Sequence, residues 1–313
     1  MEKYIEKCVR SLFEQTMTEG IEFIFINDCT KDKSIEILRK ILLDYPNRQS
    51  QVRIINHLYN QGLAEARVTG LNAARGEYVI HCDSDDWVEP SMYEDLYQKA
   101  IKTDADIVGC DYIKVSTDGI LRVKCDFSLP QNQLLRELIR GNKVEAYLWN
   151  RLIKRRFYQQ GSYRADKEIT FLEDMAVTVP MHLNTHKVEY VPKPLYYYRR
   201  SDKNSMSQGS QDRNIKSAIR VLSKLSLIPM NEELKKEITL RLKFYLLARI
   251  MAPSVRNIED WRVYERHIIE EKKIATSSFE RLNISLVDKR LTLVQYILMA
   301  GSKILTKIKT YLK

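Results

Sequence analysis

Residues 76–86 read Gly76-Glu77-Tyr78-Val79-Ile80-His81-Cys82-Asp83-Ser84-Asp85-Asp86, a short apolar run that ends in three carboxylates. The segment 78–82 is apolar, short and preceded by a glycine, which predicts a buried strand. Carboxylates clustered at a strand end repel one another and favour a divalent cation. Ligands of open α/β sheets bind just beyond the carboxyl ends of the strands. These residues therefore predict a metal and phosphate site. The alternative is a polar loop in which Asp85 or Asp86 only caps the next helix.

Short apolar strands alternate with amphipathic helices over the first third of the chain. The predicted strands are 22–26, 53–55, 78–82 and 105–114, and the predicted helices are 2–16, 33–43, 62–74 and 91–103. This alternation is typical of a parallel, doubly wound sheet. Residues 115–165 have a looser and more basic pattern, and 188–199 predict one further strand.

Beyond residue 210 the pattern becomes helical, which predicts two domains, 1–210 and 211–313. Helices are expected at 215–228 and 231–250 and at the end of the chain. Residues 291–313 combine an apolar face with lysines elsewhere around the helix. Such a basic amphipathic helix predicts docking onto an anionic membrane surface. A terminal helix that packs on its own domain is the alternative.

Composition and charge indicate a protein without membrane spans and with an anionic partner. The 313 residues carry a formal net charge of +10, and 44% of them are hydrophobic. The five cysteines form no CxxC pair, which favours a reduced, cytoplasmic location over a disulfide framework or a zinc site. Met1-Glu2-Lys3 leads into a charged segment rather than a signal peptide. Binding to nucleic acid would explain the charge but not the acidic cluster, so no nucleic-acid partner is expected.

Three successive strand–helix units place an ionisable group near one edge of the predicted sheet. Asp28 follows the strand 22–26, Arg67 lies in the helix 62–74, and the acidic cluster follows 78–82. An acidic cluster for a metal, an arginine for phosphate and another acid for a base or sugar edge suit a nucleoside diphosphate.

Seven short motifs follow one another in a specific order. They are Tyr4-Ile5-Glu6-Lys7-Cys8, Asn27-Asp28-Cys29-Thr30-Lys31-Asp32, Asn60-Gln61-Gly62-Leu63, Asp83-Ser84-Asp85-Asp86-Trp87, Trp149-Asn150-Arg151-Leu152, Phe171-Leu172-Glu173-Asp174 and Pro194-Leu195-Tyr196-Tyr197-Tyr198-Arg199. Each is weak alone, but their order and spacing together are specific. In these motifs, over roughly residues 2–207, the chain resembles the family 2 glycosyltransferases of the GT-A fold.

The resemblance implies a fold class and a donor site. The fold class is α/β, with a GT-A-type doubly wound mixed sheet and a C-terminal α-helical region. Asp28 would contact the base, and Arg67 would lie near the base and the diphosphate. Asp83 and Asp85 match the DxD motif of the family. Asp83 would bind the ribose or approach the metal through water, with Ser84 beside it in the donor site. Asp85 would coordinate Mn²⁺ or Mg²⁺.

The resemblance also implies an acceptor site and a reaction. Asp174 would be the general base, Glu173 would orient it or the acceptor, and Trp149 and Asn150 would shape the acceptor side. The implied reaction is a metal-dependent, inverting transfer from a UDP-linked sugar to a glycan or lipid-linked acceptor, in surface polysaccharide synthesis. A sugar nucleotidyltransferase shares the sheet, but it would carry an N-terminal Gly-rich loop that is absent here.

One element of the resembled family has no counterpart in the sequence. Family members open with a strand before the helix that here starts near Glu2. Losing about five buried apolar side chains, at ~1.5–3 kcal/mol each, is large against a domain stability of ~5–15 kcal/mol. The neighbouring strands would also keep unpaired edges. We expect that Met1 lies downstream of the true start. The alternative is a truncated, non-catalytic remnant that acts as a binding protein.

Overall fold

The computed structural model describes residues 1–141, 143–160, 169, 171–200 and 211–250. The chain divides into two compact units, 1–208 and 209–313. The boundary predicted from the sequence, after residue 210, lies two residues further along. None of the helices in the described ranges is long and apolar enough to cross a membrane. The predicted basic segment 291–313 lies outside the described residues.

The first unit contains eight strands and seven α-helices within its described residues. The strands are β1 Phe23–Asn27, β2 Val52–Asn56, β3 Tyr78–Val79, β4 Trp87–Val88, β5 Ile107–Ser116, β6 Gly119–Val123, β7 Arg151–Lys154 and β8 Val188–Arg199. The helices are α1 Ile5–Phe13, α2 Ser34–Leu43, α3 Leu63–Ala73, α4 Met92–Thr103, α5 Gln131–Arg140, α6 Arg156–Gln160 and α7 Glu173–Asn184, with a 3-10 helix at Pro46–Gln51. In the second unit, the described residues form α8 Gln211–Ser226 and α9 Glu232–Ile250.

The strands form a mixed arrangement in two parts. β1 pairs with β2 in parallel, and a six-stranded sheet has the order β3-β7-β5-β8-β4 with β6 paired to β5. In that sheet only β5 and β8 are parallel, and the other pairs are antiparallel. The all-parallel sheet expected from the alternation is therefore wrong. The α/β fold with a mixed sheet, which the resemblance implies, is confirmed.

Strands β1 and β3 each keep one unpaired edge within the described structure. β1 pairs only with β2, and β3 pairs only with β7. The apolar residues Ile24, Phe25 and Ile26 of β1 are half-buried, whereas all four residues of β7 are buried. Strand β1 is therefore less completely covered than β7. The predicted strand 78–82 stops at Val79, and the acidic residues therefore follow an irregular segment.

Two packed regions hold the site in place. The amphipathic helix α1 buries Val9, Leu12 and Phe13, and the Phe13 ring meets that of Phe23 edge to face at 5.6 Å. Burial of each such side chain contributes about 1.5–3 kcal/mol. A second cluster supports the region where α7 and β7 meet, and its fully or nearly fully buried members include Ile107, Leu148, Ile153, Phe157 and Met181.

Candidate functional site

Asp28 ties the end of β1 to the start of α3. Its Oδ1 accepts the Gln61 N–H at 2.7 Å and lies 2.8 Å from His57 Nδ1, and its Oδ2 accepts the Gly62 N–H at 2.7 Å. Burial raises the pKa of Asp28, but these hydrogen bonds outweigh it and hold the pKa below its ordinary value. No local motif points to His57, but the register of β1 and β2 pairs Asn27 with Asn56 and so makes residues 28 and 57 neighbours.

Asp86 anchors the acidic loop to β8. It is 1% exposed, and it accepts the Tyr196 hydroxyl at 2.8 Å and the Arg199 N–H at 2.6 Å. Helix α4 starts at Met92 with Ser91 in the N-cap position, so neither Asp85 nor Asp86 caps it. The helix-cap alternative is therefore wrong. Asp86 holds the loop, and Asp83 and Asp85 remain as the carboxylates that can meet a ligand.

Burial has the largest effect on the carboxyl groups of the acidic loop. Burial raises the pKa of Asp83 to about 6, and the nearby Arg67 only partly offsets this effect. Burial and the repulsion of Asp83 raise the pKa of Asp86 to about 8, and burial also raises the pKa of Asp85. Such displacements mean that the ionised loop is held in an unfavourable state, which a bound cation would relieve.

Arg67 joins the acidic loop to the Glu173-Asp174 pair. It projects from α3 and is nearly buried. Its Nη1 lies 2.5 Å from Asp174 Oδ1, and its Nη2 lies 3.6 Å from Asp83 Oδ1. Three motifs that are far apart in the sequence therefore meet at one guanidinium group.

Glu173 and Asp174 open helix α7. The residue before them, Leu172, has a φ of 60°, in the left-handed region that costs an ordinary residue about 1–2 kcal/mol. Asp174 Oδ2 accepts the Leu148 N–H at 3.2 Å, so both of its oxygens are engaged. Burial and the charge of Asp174 raise the pKa of Glu173 to about 7. The two neighbouring carboxyl groups thus differ in their environments, which is typical of acid–base sites.

Trp149 and Asn150 lie beneath this region rather than on its surface. Trp149 is 2% exposed and stacks on Tyr147, Tyr196 and Tyr198 with ring centroids 4.3–5.6 Å away. Asn150 is fully buried and donates from Nδ2 to the Cys110 carbonyl at 3.1 Å. Their predicted influence on the acceptor can therefore pass only through the neighbours that they support. Tyr196, on which Trp149 stacks, is one of these neighbours, and its hydroxyl donates to Asp86.

The residues fit a divalent ion that is bound together with a substrate. No group of three or more His, Cys, Asp or Glu side chains is arranged to hold a metal in the described parts of the chain. Mg²⁺ commonly uses one or two carboxylates and completes its shell with substrate phosphates and waters. Asp83 and Asp85, with the exposed Ser84 between them, supply such a partial set.

Residues 1–162 match the sequence model of glycosyl transferase family 2. The chain belongs to this family. It is 33% identical over 214 residues to the uncharacterized glycosyltransferase EpsJ of Bacillus subtilis (strain 168), and the matched region covers 66% of this chain and 60% of EpsJ. It is 31% identical over 249 residues to the cholesterol galactosyltransferase of Borreliella burgdorferi, covering 74% of this chain and 64% of that protein. The chain thus spans about 60% of the length of these two curated relatives.

Solved structures confirm the GT-A fold of this family 2 chain. The structure of Staphylococcus aureus TarS residues 1–349, in complex with UDP-GlcNAc, matches with a TM-score of 0.74 at 16% identity, covering 97% of this chain and 89% of that one. The mannosyltransferase PcManGT from Pyrobaculum calidifontis, in complex with GDP-Man and Mn²⁺, matches with a TM-score of 0.56 at 12% identity. The match covers 95% of this chain and 84% of that one. At these identities the likeness concerns the fold.

Proposed function

We propose that this chain is a metal-dependent, inverting glycosyltransferase that uses a nucleoside diphosphate sugar. The observation that carries the proposal is the position of Arg67, which brings the DxD residue Asp83 and the base candidate Asp174 into one site. The donor is a UDP sugar, by analogy with the UDP-GlcNAc complex of TarS. The acceptor is a glycan or lipid-linked hydroxyl in surface polysaccharide synthesis, at the cytoplasmic face of the membrane to which residues 291–313 would dock.

The donor half of the site consists of Asp28, Arg67, Asp83 and Asp85. Three acceptor positions of the Asp28 carboxylate are used within the chain, and about four exist on a carboxylate, so one remains for a base N–H. Asp83 and Asp85 would hold Mn²⁺ or Mg²⁺, which when bound stabilises the charge of the leaving diphosphate. The guanidinium of Arg67 offers a fork of N–H donors that matches phosphate oxygens.

The acceptor half of the site consists of Asp174 and Glu173. In the proposed reaction Asp174 accepts the proton of the acceptor hydroxyl, a role worth roughly 10²–10⁴-fold in rate. The hydroxyl oxygen forms a bond to the anomeric carbon from the face opposite the nucleotide. The bond from that carbon to the diphosphate oxygen breaks, and the diphosphate leaves with the electron pair. One such displacement inverts the configuration, and Glu173 orients the acceptor.

A thermal-shift experiment tests the donor half. We expect UDP to raise the melting temperature only when Mn²⁺ or Mg²⁺ is present. At a ligand concentration of about 100 times Kd the free energy of unfolding rises by ~2.7 kcal/mol. This corresponds to a rise in melting temperature of roughly 5–10 °C for a domain of this size. Asp85→Ala should abolish the metal-dependent part of the shift. Asp118→Ala, which removes an exposed carboxylate in the turn between β5 and β6, is the matched control.

Nucleotide release from UDP sugars tests the reaction. The wild-type chain should release UDP in the presence of a suitable acceptor, and Asp174→Asn should lower the rate by at least about 10²-fold while still binding UDP. If no nucleoside diphosphate binds with either metal, the proposal is wrong and the non-catalytic binding protein becomes the better hypothesis.

A further inference from the structure

Arg151 is the first residue of β7, and its side chain is completely buried. Its Nη1 donates to Asn150 Oδ1 at 2.9 Å, and its Nη2 donates to the Glu145 carbonyl oxygen. Among the described residues, no carboxylate forms an ion pair with this guanidinium, and its Nε has no acceptor. A buried charge without a counter-ion costs free energy, so an apolar side chain of the same size would fill this position at a lower cost.

Strand β5 provides a flat support for this guanidinium. Gly109 lies directly opposite Arg151 in the antiparallel pairing of β5 and β7. The Phe127 ring covers Gly109 so closely that a Cβ there would lie 2.4 Å from it. The Arg151 guanidinium in turn lies over the same ring, 4.7 Å from its centre, in a cation–π contact. The missing side chain at residue 109 thus lets the ring lie against the strand, and the ring limits where the guanidinium can go.

The segment 145–148 leads from this guanidinium to the base candidate. At its start, the Glu145 carbonyl accepts the Arg151 Nη2–H. At its end, the Leu148 carbonyl accepts the Arg151 backbone N–H at 3.3 Å, and the Leu148 N–H donates to Asp174 Oδ2 at 3.2 Å. Arg151 therefore holds both ends of the segment whose last N–H binds the carboxylate.

Two further contacts fix the same segment to its surroundings. The Tyr112 hydroxyl of β5 donates to the Glu145 carboxylate. On the other side, Thr178 of α7 places its Oγ 3.2 Å from the Ala146 carbonyl oxygen, one helical turn after Asp174. The segment is thus attached to β5, β7 and α7 at once, so a shift at residue 145 changes the position of the N–H that binds Asp174.

We propose that Arg151 is a positioning residue for the base Asp174. Its guanidinium fixes the carbonyl of residue 145, and the segment 145–148 transmits this position to the Leu148 N–H, which orients the Asp174 carboxylate. A displacement of about 1 Å in a catalytic site can lower the rate by about 10²-fold. This inference rests on the proposed function, and it goes beyond it by giving a task to a buried residue that meets neither donor nor acceptor.

The replacement Arg151→Lys tests this role, because it keeps the charge but loses the rigid fork that reaches two oxygens. The assay follows UDP release in the presence of Mn²⁺, with water as the acceptor. Its substrate is whichever of UDP-Glc, UDP-Gal and UDP-GlcNAc the wild type cleaves fastest. We expect kcat to fall by about 10–100-fold, while KM for the UDP sugar changes by less than about twofold because the donor half of the site is untouched.

A double variant shows whether Arg151 acts through the base. In an Asp174→Asn background, Arg151→Lys should lower the remaining rate by less than about twofold, since the group that it positions has already been removed. General damage to the fold would instead lower the rate by the same factor in both backgrounds.

Hydrogen exchange measures the segment without any substrate. In Arg151→Lys the amide of Leu148 should exchange at least about tenfold faster than in the wild type, whereas the amides of helix α1 should keep their rates. Lys154→Met is the matched control, since it removes the buried cation at the other end of β7, which pairs with Asp104. This control should lower the melting temperature but leave kcat and the exchange of Leu148 unchanged.

A second variant covers the case in which Arg151→Lys does not fold. Phe127→Leu removes the ring beneath the guanidinium but leaves both of its hydrogen bonds in place. It should lower kcat and speed the exchange of Leu148 in the same direction, by a smaller factor of about threefold to tenfold.

The outcomes distinguish the positioning role from the function on which it rests. If the wild type releases UDP but Arg151→Lys keeps its kcat, leaves the exchange of Leu148 unchanged or loses equally in the Asp174→Asn background, the positioning role is wrong and the transferase proposal stands. If UDP, GDP, CDP and dTDP all fail to bind the wild-type chain with either metal, the proposed function is wrong and the positioning role falls with it.

Discussion

The replacement Glu173→Gln should make the folded chain more stable, and more so at alkaline pH. Burial and the charge of Asp174 raise the pKa of Glu173 from its ordinary 4.5 to about 7. Between these two values the folded state binds more protons than the unfolded chain. The contribution of Glu173 to the free energy of unfolding therefore falls as the pH rises from about 4.5 to about 7 and then stays level. Each pH unit between the two pKa values is worth about 1.4 kcal/mol, and the partial exposure of the group reduces the total to about 1–3 kcal/mol.

Urea unfolding at about pH 5 and about pH 8, with a chelator present, measures this effect. The wild type and Glu173→Gln should have similar stabilities at the lower pH. At the higher pH the variant should be more stable by about 1–3 kcal/mol, or several degrees in melting temperature. Glu36→Gln, on the exposed face of α2, is the matched control, and its stability should differ from that of the wild type by the same small amount at both pH values. Parallel losses of stability in the wild type and Glu173→Gln between the two pH values would refute the reasoning.

Three further changes probe other parts of the chain. Gly109→Ala should lower the urea midpoint by an amount that corresponds to about 1–3 kcal/mol, because an added Cβ would lie 2.4 Å from the Phe127 ring; an unchanged midpoint would contradict this packing. Cys29 has a φ of 59°, so Cys29→Gly should stabilise the chain by roughly 0.5–1 kcal/mol, whereas Cys29→Ala, which keeps a Cβ, should not. The full chain should float with anionic liposomes but not with neutral ones, and deleting residues 291–313 should abolish the flotation with anionic liposomes; unchanged flotation would exclude the docking role.

Local sequence patterns were sufficient for most elements of the first three strand–helix units, apart from the end of the predicted strand 78–82. The predicted helix 33–43 corresponds to α2 Ser34–Leu43, and the predicted strand 53–55 lies within β2 Val52–Asn56. These elements are short, and each has its own period of apolar residues, so neighbouring residues determine them. The position of Asp28 could also be predicted, since it directly follows a strand that pairs in parallel with the next one.

Pairing between distant segments could not be predicted in the same way. Strand β7 contains Arg151 and Lys154, whose charges are typical of surface positions, yet both residues are buried. Lys154 is compensated by Asp104, whose carboxylate is 2.6 Å away and 50 positions earlier. The Arg67–Asp174 pair is separated by 107 positions. Neither pair leaves a signal in local periodicity, because each depends on how the sheet brings separate segments together.

Backbone strain in the described residues also lies close to the proposed site. Three non-glycine residues there have a positive φ: Cys29, Asp104 and Leu172. Asp104 ends helix α4, a position at which aspartate tolerates the left-handed conformation well. Cys29 directly follows Asp28, and Leu172 directly precedes Glu173 and Asp174, where a strained turn starts the helix that carries both carboxylates. A residue such as leucine keeps this conformation only if the surrounding structure compensates for its cost. The strain at Leu172 and the raised pKa of Glu173 both reduce the stability of the folded chain at the start of this helix.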